Sequence, residues 1–384
     1  MTMTSIGTPT EATRRGRRVF GRPELYTSYR QDMAFFNTRS KLVGVLALVA
    51  VAAYLPMGMT DDLLKIMATA FVLAVGAIGL NLVTGYAGQV SLGHAFFVGI
   101  GAYTAAVISG DPEGRTYGLG VTSVPVWILA SGLVAALCGA VVAPIATRLK
   151  GLYLAIVTLG LVFLGIYVFT EWRDLSGGLN VGREAARATL FGVDLAHDGD
   201  SFTEEQKLYW LTLVVLLVFA VLARNLVRSR VGRAFAAVRD RDIAAGMMGV
   251  NLSQYKLLAF TISSFYAGVA GSLLYVGTGH FSPEQFGLLL SVQFIAMVLI
   301  GGAATISGSI MGALLIAWLP RLTSELPSFV PFISESATQH PNTFEVEQIL
   351  YGLLIIVFLL FEPRGLYGIW VRIRTYWKSF PFSY

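Results

Sequence analysis

Charge is what this chain has least of. Asp, Glu, Lys and Arg make up 13% of its 384 residues, against 55% hydrophobic. Soluble domains carry about 25% charged residues, so this surface is too apolar to face water. The mean hydropathy of +0.66 agrees. Cysteine is almost absent too: Cys138 stands alone, which excludes an intrachain disulfide. No lysine follows a glycine, so the G-x-x-x-x-G-K-[ST] phosphate loop is missing and the chain is not an ATPase of that class. No His, Cys and carboxylate cluster has metal-ligand spacing, and no Ser, His and Asp set is arranged for covalent catalysis. The apolar runs also lack carboxylates. His94 is the one ionisable residue well inside a run, while Lys65 and Glu362 lie near ends, where their heads reach water. A proton-driven carrier would need a buried carboxylate.

What the chain does have is a repeated stretch long enough to cross a hydrocarbon core of about 30 Å. Such stretches begin near Leu42, Leu63, Val90, Pro125, Leu152, Leu208, Leu257, Leu289, Thr305 and Gln348. The expected fold is therefore all-α, a polytopic membrane protein of about ten transmembrane helices, some short or glycine-interrupted. Residues 289–320 are read as two spans, with one span plus a re-entrant segment as the alternative. Lys and Arg favour the cytoplasmic side of short loops. With the N-terminus inside, the inner segments hold 21 of the 28 Lys and Arg but 6 of the 23 Asp and Glu. A threading wrong by one span would exchange the basic loop at 224–256 with the acidic one at 171–207. Basic character thus points to membrane sidedness and not to nucleic acid.

The resulting divisions are a basic arm over 1–41, a transmembrane domain over 42–361 and a cytoplasmic tail over 362–384. Outer loops run over 171–207 and 321–347, the first with room for a small lid and the second irregular, and an inner loop over 227–256. The arm carries no short apolar core with a cleavage site, so it is expected to stay as a cytoplasmic arm against anionic lipid headgroups.

Two regions are rich in glycine. One runs from Gly76 to Gly101, centred on Asn81, Thr84, Gly88, Gln89, Ser91, Gly93 and His94. The other runs from Gly301 and Gly302 to Gly312. Paired glycine-interrupted segments mark the routes of many transporters, where helices unwind and backbone faces the pathway. Small residues also let membrane helices pack closely, so both readings stand. His94 either lines the route or hydrogen-bonds a neighbouring carbonyl.

The inner loop 227–256 is helical in composition from Arg233 to Met248. Ile243 with Met247, and Ala244 with Met248, fall four apart on one apolar strip, and Ala245 and Gly249 are small. Such a strip needs a cover, either lipid or a protein groove.

Taken together, several segments resemble the LivM-type permease family of branched-chain amino acid importers. They are Gly85-Tyr86-Ala87-Gly88-Gln89-Val90-Ser91-Leu92-Gly93-His94, Leu152-Tyr153-Leu154-Ala155, Ser176-Gly177-Gly178, Gly232-Arg233-Ala234, Gly301-Gly302 and Glu362-Pro363-Arg364-Gly365-Leu366. They run in family order from about residue 63 to 370. Members usually read Gly-x-Gly-Thr and Gly-Pro where this chain has Gly302-Ala303-Ala304-Thr305 and Gly308-Ser309.

The resemblance implies a non-catalytic subunit of a bacterial inner-membrane ABC importer with both termini cytoplasmic. Its partners would be a homologous second permease, two ATPases carrying ATP and magnesium, an extracytoplasmic substrate-binding protein and membrane lipid. It implies no cofactor on this chain, and that Arg233, Ile243, Ala244, Ala245, Met247, Met248 and Gly249 couple to the ATPases. Family substrates include leucine, isoleucine and valine, and also urea, short amides and aromatic acids. The lining offered by Asn81, Thr84, Gln89, Ser91 and His94 suits a zwitterion or a neutral amide alike. The alternative is an ATP-independent facilitator or channel for urea or short amides.

Overall fold

A computed structural model describes residues 39–149, 151–178, 182–190, 192–195, 202–329 and 342–379. Most of the arm and residues 330–341 of the second outer loop fall outside these. Along the chain run α1 (Arg39–Tyr54), α2 (Asp61–Asn81), α3 (His94–Ser109), α4 (Val124–Arg148), α5 (Leu152–Glu171), a short α6 (Arg173–Ser176) and α7 (Glu204–Arg228). Next come α8 (Arg230–Met247), α9 (Leu252–Thr278), α10 (Leu288–Gly301), α11 (Ile306–Ser324), a short α12 (Leu326–Phe329), α13 (Thr343–Phe361) and α14 (Gly365–Ser379). Among the described residues seven helices are long and apolar enough to cross a membrane; Leu42–Met57, His94–Ser109 and Leu288–Gly301 are apolar but shorter. At 1.5 Å per residue α10 is about 21 Å long, less than a hydrocarbon core.

Helix starts follow local chemistry. Thr203 and Asn342 form capping boxes with Gln206 and Glu345, opening α7 and α13, and the Asn251 side chain accepts from Gln254 N to open α9.

Two helices form the hub. The apolar window of α2 is 83% buried and that of α9 67%, against 6% for α13. The hub helix α2 packs on α7, α9, α10 and α11, and α9 packs on α3 and α4 as well. Lipid is as apolar as leucine, so backbone approach and not hydrophobic segregation drives this packing. Accordingly a Cβ at Gly79 would lie 3.0 Å from Ser263 O, one at Gly132 2.7 Å from the Phe265 ring, and ones at Gly101 and Gly271 would strike the backbone of the facing helix. The stretch 289–320 is two helices, α10 and α11, parted at 302–305. The helix expected from Val90 starts at His94, because Leu82–Tyr86 makes a single π turn and the chain then runs irregularly.

The loops gather at two ends. At the acidic end Trp210 Nε1 donates to Ala53 O (3.0 Å), Gln206 Nε2 to Pro56 O (3.0 Å) and Tyr117 N to Asp174 O (2.9 Å). Here four two-residue strands, unforeseen in an all-α reading, pair as β1 (Arg183–Glu184) with β4 (His280–Phe281) and β2 (Thr189–Leu190) with β3 (Val193–Asp194). Arg183 ties this cap together. It is 6% exposed and donates to the carbonyls of Leu175, Ala106 and Tyr117 at 2.8–2.9 Å. Burial lowers its pKa from the ordinary value, yet arginine keeps its proton in proteins. The basic end holds residues 82–93, α8, 302–305 and the start of α14.

Candidate functional site

At the basic end the two glycine-rich regions meet. Where α2 finishes, Asn81 is buried and all of its amide is used. Nδ2 donates to Thr305 O (2.9 Å) and Ser309 Oγ (2.7 Å), and Oδ1 accepts from Ala304 N (2.8 Å). This side chain staples the π turn to the break between α10 and α11. The staple needs bare backbone around it: a Cβ at Gly85 would strike Asn81 Oδ1 and Ala304 N, and one at Gly301 would strike Gly308 O. Gly302 turns the chain at φ 124°, and two residues on Ala304 takes φ 59°, the only positive φ outside glycine among the described residues. Left-handed backbone costs a residue with a Cβ about 1–2 kcal/mol. That is the position where the resembled family usually has glycine.

The remaining pathway candidates divide sharply. His94 is buried, its Nε2–H donating to Gly76 O at 2.8 Å and its ring set edge-on against Phe294; of the two readings, the satisfied interior histidine is the one observed. The Ser91 hydroxyl accepts weakly from Gly93 N at 3.4 Å, and Leu92 N donates to Thr158 Oγ1 at 2.9 Å. Gly93 lies against α5, where a Cβ would come 2.7 Å from Thr158 O. Gln89 differs from all of these. It is 5% exposed, and neither amide atom has a hydrogen-bond partner; Thr84 Oγ1 is likewise buried and unpaired. Native buried amides are nearly always satisfied, so such a pair calls for an explanation.

The inner loop joins this patch directly. The helix α8 begins at a Ser229 cap and buries Gly232, Ala234, Phe235 and Val238, while Arg233 stays exposed and donates to Arg228 O (3.3 Å). At Arg241 the backbone leaves helical geometry (φ −155°, ψ 94°) and the direction breaks. Past the break the apolar strip is bare: Ile243 is 74% exposed, Met247 and Met248 86% each, and Ala244 and Gly249 are exposed with them. Ala245 is not part of that face. It is buried in its own chain, on the face of the helix opposite Ile243 and Met247, which removes it from the surface that a partner could touch.

Arg239 points back into the chain, donating from Nη1 to Gly85 O (3.1 Å) while Nε pairs with Asp240 Oδ1 (2.9 Å). A Cβ at Gly88, whose φ is +69°, would lie 2.7 Å from Arg239 Cγ. One side chain therefore connects α8 to the π turn, and Asn81 connects the π turn to α11. Sequence carried no signal for this link, since an arginine beside an aspartate reads as a solvated pair.

The arrangement is that of a membrane protein whose broken helices and inner helix are tied together at one end by Asn81 and Arg239. Among the described residues no group of three or more His, Cys, Asp or Glu side chains is placed to hold a metal ion.

Comparison with known proteins fits this architecture. Residues 63–359 match the family described as "Branched-chain amino acid transport system / permease component". The chain is 30% identical over 347 residues to the high-affinity branched-chain amino acid transport system permease protein LivM of Escherichia coli K12, covering 86% of this chain and 76% of that one. It is 25% identical over 306 residues to LivH of the same strain (77% and 91% covered), and 26% identical over 337 residues to the autoinducer 2 import system permease protein LsrC of E. coli O9:H4 (86% and 89% covered). No solved structure matches the chain. With more than half of its length matched, and with the glycine-interrupted helices meeting as described, the chain belongs to the family of branched-chain amino acid transport system permease components.

Proposed function

We propose that this chain is the non-catalytic membrane subunit of an ATP-driven importer for branched-chain amino acids or a related small polar or amphipathic solute. It pairs with a homologous second permease, two ATPases that hold ATP and magnesium, and an external binding protein. The basic end faces the cytoplasm, as the distribution of Lys and Arg supports, and both termini lie on that side. The observation that carries the reading is the Arg239 link. It joins a helix with a bare apolar tip, Ile243, Ala244, Met247 and Met248, to the glycine-rich break in α2. A partner seated on that tip pushes the π turn through Arg239 and moves the α10–α11 break through Asn81. Gln89 and Thr84, buried and unpaired, are the polar groups held for the solute.

The test is reconstitution. In proteoliposomes the chain alone gives neither ATP hydrolysis nor uptake; with its permease and ATPase partners, the binding protein and internal ATP it gives uptake of leucine. Downhill flux by the chain alone would make it a facilitator. Sidedness is tested apart. In a Cys138→Ser background an impermeant thiol reagent added to intact cells labels Ala185→Cys and spares Ala236→Cys, and labelling of the latter would reverse the orientation.

A further inference from the structure

The strongest amphipathic element begins beside the junction, with Gly365 against Gly302, and then leaves it. In α14, at 100° per residue, Ile369, Trp370, Ile373, Tyr376 and Trp377 fall on one arc of about 120°. All five are exposed, Trp377 to 74%. Arg372 and Arg374 flank that arc, each about 40° beyond one of its ends, and Thr375 lies opposite, while the buried Gly365 and Gly368 mark where the start of the helix meets the protein. That start packs on α10 and α11.

The position of this face decides what covers it. Only 6% of the apolar window of the preceding helix α13 is fully buried by protein, and its outer face, with Leu353, Ile356, Leu360 and Phe361, is exposed, which is the face a bilayer would cover if the helix crosses it. It ends at Phe361, and α14 begins only four residues later at Gly365. The turn is fixed: Gly365 takes φ +64°, and Arg372 Nη2 pairs with Glu362 Oε2 at 2.8 Å across it. A helix starting so close to the end of a span lies at the level of the headgroups. Trp and Tyr concentrate at that level because their rings are apolar with one polar atom, and arginine stems reach from it into water. In water the five side chains would form an exposed apolar face with nothing to offset its cost.

We propose that α14 lies flat in the headgroup layer, its five apolar side chains in the acyl boundary and its arginines on anionic phospholipid. The proposal rests on the membrane-spanning reading, while sidedness decides only which leaflet; an error there shows in the thiol labelling and leaves the present test intact. The full chain, in the Cys138→Ser background and in nanodiscs of phosphatidylcholine with or without phosphatidylglycerol, carries a spin label at Ile373→Cys or at Thr375→Cys. Both positions are exposed, so neither label disturbs packing. The label at 373 is relaxed by oxygen and shielded from a water-soluble nickel complex, and the label at 375 shows the reverse. Arg374→Gln lowers the preference for phosphatidylglycerol by about fivefold, as expected for ~1 kcal/mol per basic residue at an anionic surface. Nickel access at 373 equal to that at 375 overturns the proposal, as does shielding of 373 that appears only when the ATPases are added, which would assign the face to a protein groove. Equal behaviour in both lipid compositions overturns the anionic preference.

Discussion

Asn81 and Gln89 are two buried amides eight residues apart, on either side of the same π turn, and they are used in opposite ways. The Asn81 amide meets Thr305, Ser309 and Ala304, whereas that of Gln89 meets nothing. Both lie in a segment whose glycines and polar groups make it, from sequence alone, a candidate for either a pathway or close helix packing. The difference teaches that this segment has two parts: a staple that holds two broken helices together, and a polar surface left open. A side chain that spends all its hydrogen bonds on its own chain has none to give a solute. Asn81 is thereby a joint, and Gln89 and Thr84 are the unpaired groups on which the proposed route rests.

Breaking the staple gives the largest effect. Asn81→Leu leaves Ala304 N without a partner, at about 1–3 kcal/mol, and takes one hydrogen bond each from Thr305 O and Ser309 Oγ, which still bond each other, at about 0.5–1.5 kcal/mol apiece. The purified variant is expected to lose several kcal/mol, read as a marked fall in thermal midpoint by fluorescence-detected size-exclusion chromatography. A midpoint unchanged from wild type would mean that Asn81 holds nothing. The same joint sharpens in the other direction at Ala304, whose φ of 59° strains a residue with a Cβ. Ala304→Gly removes that strain of about 1–2 kcal/mol and gives back part of it through the freer unfolded chain. The net expectation is a gain of about 0.5–1 kcal/mol, a small rise in midpoint in the same assay; a fall would show that Ala304 fits its position.

Much of this was legible in the residues. Hydropathy locates the apolar helices, including the break between α10 and α11, because membrane helices are recognised by composition over a long window. The bare tip of α8 followed from Ile243, Met247 and Met248 at helical spacing. Three features were not legible. The strands pairing Arg183 with Phe281 and Glu184 with His280 are two residues long and have no periodicity to read. The backbone break in α8 falls at Arg241, a residue with no local propensity to break a helix. Asn81 and Gln89 could not be told apart, since the partners of Asn81 lie more than 220 positions later in the chain and the difference exists only once the helices are packed.

The smallest effect on stability is the most informative about transport. Gln89→Leu replaces an amide that has no partner with an apolar side chain of similar size. Nothing in the chain loses a hydrogen bond, so the thermal midpoint should stay level or rise, in contrast to Asn81→Leu. Association with the ATPases should also be unchanged, because the variant leaves the Arg239 contact with Gly85 in place. Uptake is a different matter. If the amide meets the solute or its hydration water during passage, losing one hydrogen bond worth about 1–1.5 kcal/mol lowers the rate roughly five- to tenfold. Thermal midpoint, ATPase co-purification and ATP-driven uptake, measured on Gln89→Leu and Asn81→Leu side by side, separate the two roles. Normal stability with reduced uptake assigns Gln89 to the route. A loss of stability like that of Asn81→Leu would mean that its amide has a structural partner, and full uptake with full stability would remove it from the pathway.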